Sequence, residues 1–229
     1  MKSVFFIFQI RLIHCLLLGM LIFVSHTAKA DAYNDFILAV RFNDARAVQT
    51  QLMQGIDPNS IEATRGETVM MIALREKSMK VFDVLLKHAD IRLDAHANNG
   101  DTALMIASFM GNMRAVSQLI DAGSAINQPG WTSLHYAAAN GNVNVISLLL
   151  EHSAYIDAES PNKTTPLMMA VRSGKISAVQ IFLDEGADIH VRNNLGLSAL
   201  DFAIQLEQKE IAECLRSYLK LDQQNSRYP

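Results

Sequence analysis

Five times between residues 64 and 220 the chain repeats one arrangement of hydrophobic and polar positions. A hydroxyl residue is followed two positions later by a large apolar residue and five later by an alanine. The copies are Thr68, Met70, Ala73; Thr102, Leu104, Ala107; Thr132, Leu134, Ala137; Thr165, Leu167, Ala170; and Ser198, Leu200, Ala203. Successive hydroxyls lie 34, 30, 33 and 33 residues apart. Positions fourteen and seventeen after each hydroxyl hold Phe82 and Leu85, Val116 and Leu119, Ile146 and Leu149, Val179 and Phe182, and Ala212 and Leu215. Residues three apart share a helix face, so each copy predicts two short helices that bury one side.

The boundaries carry their own signals. Thr or Ser at the start can accept a hydrogen bond from an orphan N–H of the first turn, and Pro166 follows Thr165 with a φ already set for that turn. Gly111, Gly141 and Gly174 end the first helices. Gly55, Gly123 and Gly186 end the second ones, and polar stretches such as "ADIHVRNNLG" lead to the next copy. A degenerate copy begins near Asn34 with Phe36, Ala39 and Val48, and Gln51 stands where the others place a leucine or phenylalanine, as expected of a terminal unit. At the other end Arg216 takes the column of Leu86, Ile120, Leu150 and Leu183, which gives the last helix a wet outer side. The units are 31–63 and 64–97, then 98–127, 128–160, 161–193 and the closing 194–220; residues 221–229 are expected to form a flexible tail.

Units of about 33 residues with this register, and the stretch "WTSLHYAAANGNVNVISLLLEHSA", resemble ankyrin repeats over residues 31–220. The resemblance implies an all-α ankyrin-repeat solenoid of helix-turn-helix units joined by hairpin loops. Only Thr165-Pro166 keeps the family's Thr-Pro, and only His135 keeps its histidine, whose ring ties neighbouring turns together in that family. Between Ile120 and Thr132 there are three residues fewer than between Leu183 and Ser198, so the Pro129-Gly130 hairpin is shortened.

In the family, hairpin tips and the exposed face of the first helices form a concave surface that binds proteins. Carried over, that surface includes Arg65, Glu67, Asn99, Asp101, Trp131, Asn162, Thr164, Asn194 and Leu197 on the hairpins. On the first helices it includes Arg75, Phe109, Met110, Ala139, Asn140 and Arg172. The partner-binding residues expected to matter most are Arg75, Asp101, Phe109, Met110, Trp131, Asn140 and Arg172. Aromatic residues flanked by arginine are the composition that concentrates binding energy at interfaces. Trp131 has two readings: an exposed anchor, or a plug that folds down over Phe109 and Met110.

Residues 1–30 read as an export signal: Lys2 and Arg11, an apolar run from Leu12 to Val24, and Ala28-Lys29-Ala30 before a cleavage point at Asp31. The other reading is an uncleaved membrane anchor. Cleavage takes away Lys2, Arg11 and Lys29 and leaves 17 basic residues against 23 acidic ones, a net charge of −6 that argues against nucleic acid. Cys214 is then the single thiol, expected as a small buried hydrophobe in the last helix. His88 and His152 lie two units apart, too far to share a metal ion, and no nucleophile, phosphate-loop or zinc spacing is present. The expectation is a monomeric, non-enzymatic periplasmic protein without cofactor or small-molecule substrate, bound to a protein partner. The alternatives are a secreted effector that binds a host protein and a membrane-anchored structural component.

Overall fold

A computed structural model describes residues 32–225. The export signal read at 1–30 lies outside the described residues. Twelve helices occupy the described residues: α1 (32–41), α2 (Ala45–Met53), α3 (Val69–Arg75), α4 (Met79–Leu86), α5 (Ala103–Phe109), α6 (Met113–Asp121), α7 (Ser133–Asn140), α8 (Val143–Glu151), α9 (Pro166–Ser173), α10 (Ile176–Asp184), α11 (Ala199–Gln205) and α12 (Lys209–Asn225). Each unit is an odd-numbered first helix and an even-numbered second one. From α3 to α11 the first helices touch in sequence, and second helices such as α6, α8, α10 and α12 pack behind them.

The recurring columns are the core. Ala73, Ala107, Ala137, Ala170 and Ala203 are fully buried, since only a methyl fits where first helices approach so closely, while Phe82, Leu119, Leu149 and Phe182 fill the space between the two rows. Thr68, Thr102, Thr165 and Ser198 accept from the backbone N–H three residues on, at 3.2–3.4 Å. Nine positions after each hydroxyl the chain turns left-handed in every unit, at Lys77, Gly111, Gly141, Gly174 and Glu207, with Asn43 in the same place of the first copy.

A polar column ties the units together. Asn59, Asp94, Asn127 and Asp157 each accept a hydrogen bond from a backbone N–H of the following unit, at Arg92, Ala125, Tyr155 and Asp188, over 2.7–3.0 Å. These residues lie in the loops after the second helices, where hydrophobic periodicity carries no signal.

Two expectations change at the C-terminal end. The last helix continues past 220 to Asn225, through residues assigned to a tail, and Asp222 on it meets His190 Nε2 at 3.0 Å. Cys214 is half-buried rather than enclosed, since no unit stacks outside its helix among the described residues; burial is the largest cause that pushes its thiol pKa up, followed by Asp184 and Glu210.

Candidate functional site

The hairpins differ in one place. In four of them the residue before the N-cap closes the loop with its carbonyl: Glu62 N–H donates to Glu67, Ala97 to Asp101, Ser160 to Thr164 and Asn193 to Leu197, at 2.8–3.1 Å. The loop before Thr132 is too short for that bond, and the Gln128 side chain supplies the donor to the Trp131 carbonyl at 3.2 Å. Neighbouring hairpins are stitched by Asn98 N–H to the Arg65 carbonyl and Asn194 N–H to the Asn162 carbonyl, both 3.0 Å. Pro161, which takes the corresponding place beside the short loop, has no N–H to give. The short loop thus leaves a notch in the middle of the hairpin row.

Beside this notch lies an open, almost wholly apolar groove of about 240 Å³, lined by Phe109, Trp131, His135, Tyr136, Ala139 and Met169. Four of its six lining residues come from two columns of the first helices. Tyr136 and Met169 stand four positions after their hydroxyls; Phe109 and Ala139 stand seven after theirs. Along the stack the second column reads Arg75, Phe109, Ala139, Arg172, so the small Ala139 makes a depression between an aromatic ring and a guanidinium.

Polar contacts set the rings. Phe109 is 43% exposed and meets Tyr136 edge-on, with centroids 6.4 Å apart. The Tyr136 hydroxyl donates to Asp101, whose other carboxylate oxygen accepts from Arg75 Nη2 at 3.2 Å; Arg75 Nε donates to Glu67 at 2.7 Å. Burial above all, then the Asp101 carboxylate, raises the Tyr136 pKa far above its ordinary value. Half-buried Trp131 packs edge-on against His135 with centroids 5.2 Å apart. His135 is fully buried. Its Nδ1 accepts from the Thr132 N–H at 3.2 Å, which leaves the proton on Nε2 to donate to the Thr164 carbonyl at 2.9 Å. Burial holds its pKa below the usual 6.5, so the neutral ring is the form that links these two units.

The named candidates therefore separate. Phe109 and Trp131 line the groove, and exposed Arg172 stands at its rim with Nη1 3.8 Å from Met169 Sδ. Trp131 does not close the groove as a plug would. Met110 is half-buried against the core, and Asn140 offers its carbonyl to Lys175 Nζ at 2.8 Å; neither lines the groove. Asp101, expected on the free surface, is 3% exposed, and Glu67 and Thr164 are buried too, because the residue before the N-cap turns in under the hairpin. Arg75 is engaged with both carboxylates, so it and Asp101 act by fixing Tyr136. Tyr136 and Met169 escaped sequence reasoning, although their column runs three residues ahead of the one holding Phe109 and Arg172.

A family model described as ankyrin repeats, in three copies, matches four overlapping windows: residues 36–129, 77–162, 111–193 and 156–225. The chain is 30% identical over 162 residues to the human transient receptor potential cation channel subfamily A member 1, covering 66% of this chain and 14% of that protein. It is 31% identical over 163 residues to the chicken nuclear factor NF-kappa-B p105 subunit, covering 68% of this chain and 16% of that one. With the putative ankyrin repeat protein FPV031 of fowlpox virus it shares 31% identity over 166 residues, covering 68% and 49% of the two chains. The chain thus spans half or less of the length of these relatives.

Proposed function

The chain belongs to the ankyrin-repeat family, and from that premise we propose that it is an exported binding protein that holds a partner protein in the groove beside its shortened hairpin. Ankyrin repeats are protein-interaction modules and are generally non-catalytic. The observation that carries the finer reading is the open apolar groove with Phe109 exposed at its edge, at the one place where the hairpin row is notched. Exposed aromatic anchors surrounded by fixed neighbours are where interface energy concentrates. The tyrosine, the indole and the histidine are already held in place, so binding costs little ordering.

In this reading residues 1–30 direct export and are removed before Asp31, and the protein acts as a periplasmic monomer without cofactor. N-terminal sequencing of the protein recovered from its source should then begin at Asp31; a chain that retains Met1 would favour the anchored alternative, and recovery from the culture medium the secreted one.

The binding reading is tested by capture from a periplasmic extract on the immobilised protein beside a Phe109→Ala, Met169→Ala variant of matched helical content. A protein retained only by the unaltered surface supports the groove. Equal retention on both, or none on either, contradicts it.

A further inference from the structure

The charges around the groove are unequal, and the difference specifies the chemistry of the segment it would take. On the α3 side Arg75 is neutralised by Glu67 and Asp101 together. On the α9 side Arg172 has no carboxylate within ion-pair distance among the described residues, and the Lys175 ammonium beyond it donates to the Asn140 carbonyl and has no carboxylate partner there either. The protein thus keeps an uncompensated positive rim on one side of an apolar depression. At about 240 Å³ the depression falls below the roughly 300–1,000 Å³ of pockets built for small molecules, and it suits a large side chain.

Ala139 and Arg172 occupy the same column in adjacent units, and packed helices lie about 8–10 Å apart. An extended peptide places alternate side chains on one face about 6.7 Å apart. The Arg172 guanidinium lies against Met169, which lines the groove, so it stands beside the seated side chain on its α9 side.

We propose that the groove receives one large apolar side chain from an extended segment of the partner, and that Arg172 pairs with an aspartate or glutamate two residues away on that segment. The apolar residue sits over Ala139 between Phe109, Trp131 and Met169. The carboxylate sets direction, because Arg75, the arginine of the same column on the α3 side, is already held by two carboxylates. This inference rests on the binding reading above and adds the partner's chemistry to it.

The test is selection of random dodecapeptides on the immobilised full chain, followed by affinity measurement on the unaltered protein, Arg172→Glu and Phe109→Ala, Met169→Ala. The expected result is a shared pair, a large apolar residue with an acidic one two positions away. Affinity should fall about tenfold in Arg172→Glu and be regained when the peptide's acid is replaced by lysine. Peptides that need Phe109 and Met169 but show no acidic preference, and bind Arg172→Glu equally, overturn the charge assignment and leave the groove standing. Peptides indifferent to both variants, or no selected peptide at all, overturn the inference and the binding reading together.

Discussion

His135 shows how much one side chain can hold. Its neutral ring accepts from Thr132 and donates to Thr164, and burial keeps its pKa low. As pH falls below about 6.5 the unfolded chain takes up the proton first, so stability present at neutral pH is lost in that window. The melting temperature should therefore drop from pH 7 to pH 5, and His135→Met, the residue that Met105 and Met168 place in the same column, should flatten the dependence. At pH 7 the same variant should cost about 1–2 kcal/mol, since the Thr164 carbonyl loses its donor. Lys77 adopts φ 57 where three other units have glycine, and Lys77→Gly should stabilise by about 1 kcal/mol in thermal melts. The hydroxyls, alanines and His135 were legible in the sequence because repetition singles them out. Asp101 was misjudged because exposure of a polar residue at a hairpin base depends on which way the loop folds. Tyr136 and Met169 were missed because they vary between copies.

At the scale of elements, the helix pairs follow directly from apolar spacing, whereas the links between them do not. Asn127 accepts from Tyr155 N–H and donates to the Ser153 carbonyl, joining the loop of one unit to the next. Asn127→Ala should cost about 1–2 kcal/mol and speed hydrogen exchange at residues 153–155. The shortened hairpin was visible as a spacing defect, but its consequence needed geometry: Gln128 replaces a backbone donor, and a notch opens beside Phe109. Lengthening that loop by three residues between Gln128 and Pro129 should leave thermal stability within about 1 kcal/mol. Capture of the partner should weaken, because the restored hairpin stands over the groove.

The whole molecule is a stack in which each unit leans mainly on its neighbours, so damage should stay local. Ala170 is fully buried in α9, between α7 and α11, and Ala170→Asp places a charge there at a cost of about 3 kcal/mol or more. Calorimetry should then show two transitions instead of one, the C-terminal units melting first. Such a stack works through an extended surface, and Trp131, the one tryptophan of the chain, stands at the notch of that surface. Incorporating fluorotryptophan gives a single fluorine resonance there. Adding the captured partner should shift or broaden that resonance in the unaltered protein and leave it unchanged in the Phe109→Ala, Met169→Ala variant. A partner that binds fully while the Trp131 resonance stays where it was would contradict the groove as the binding site.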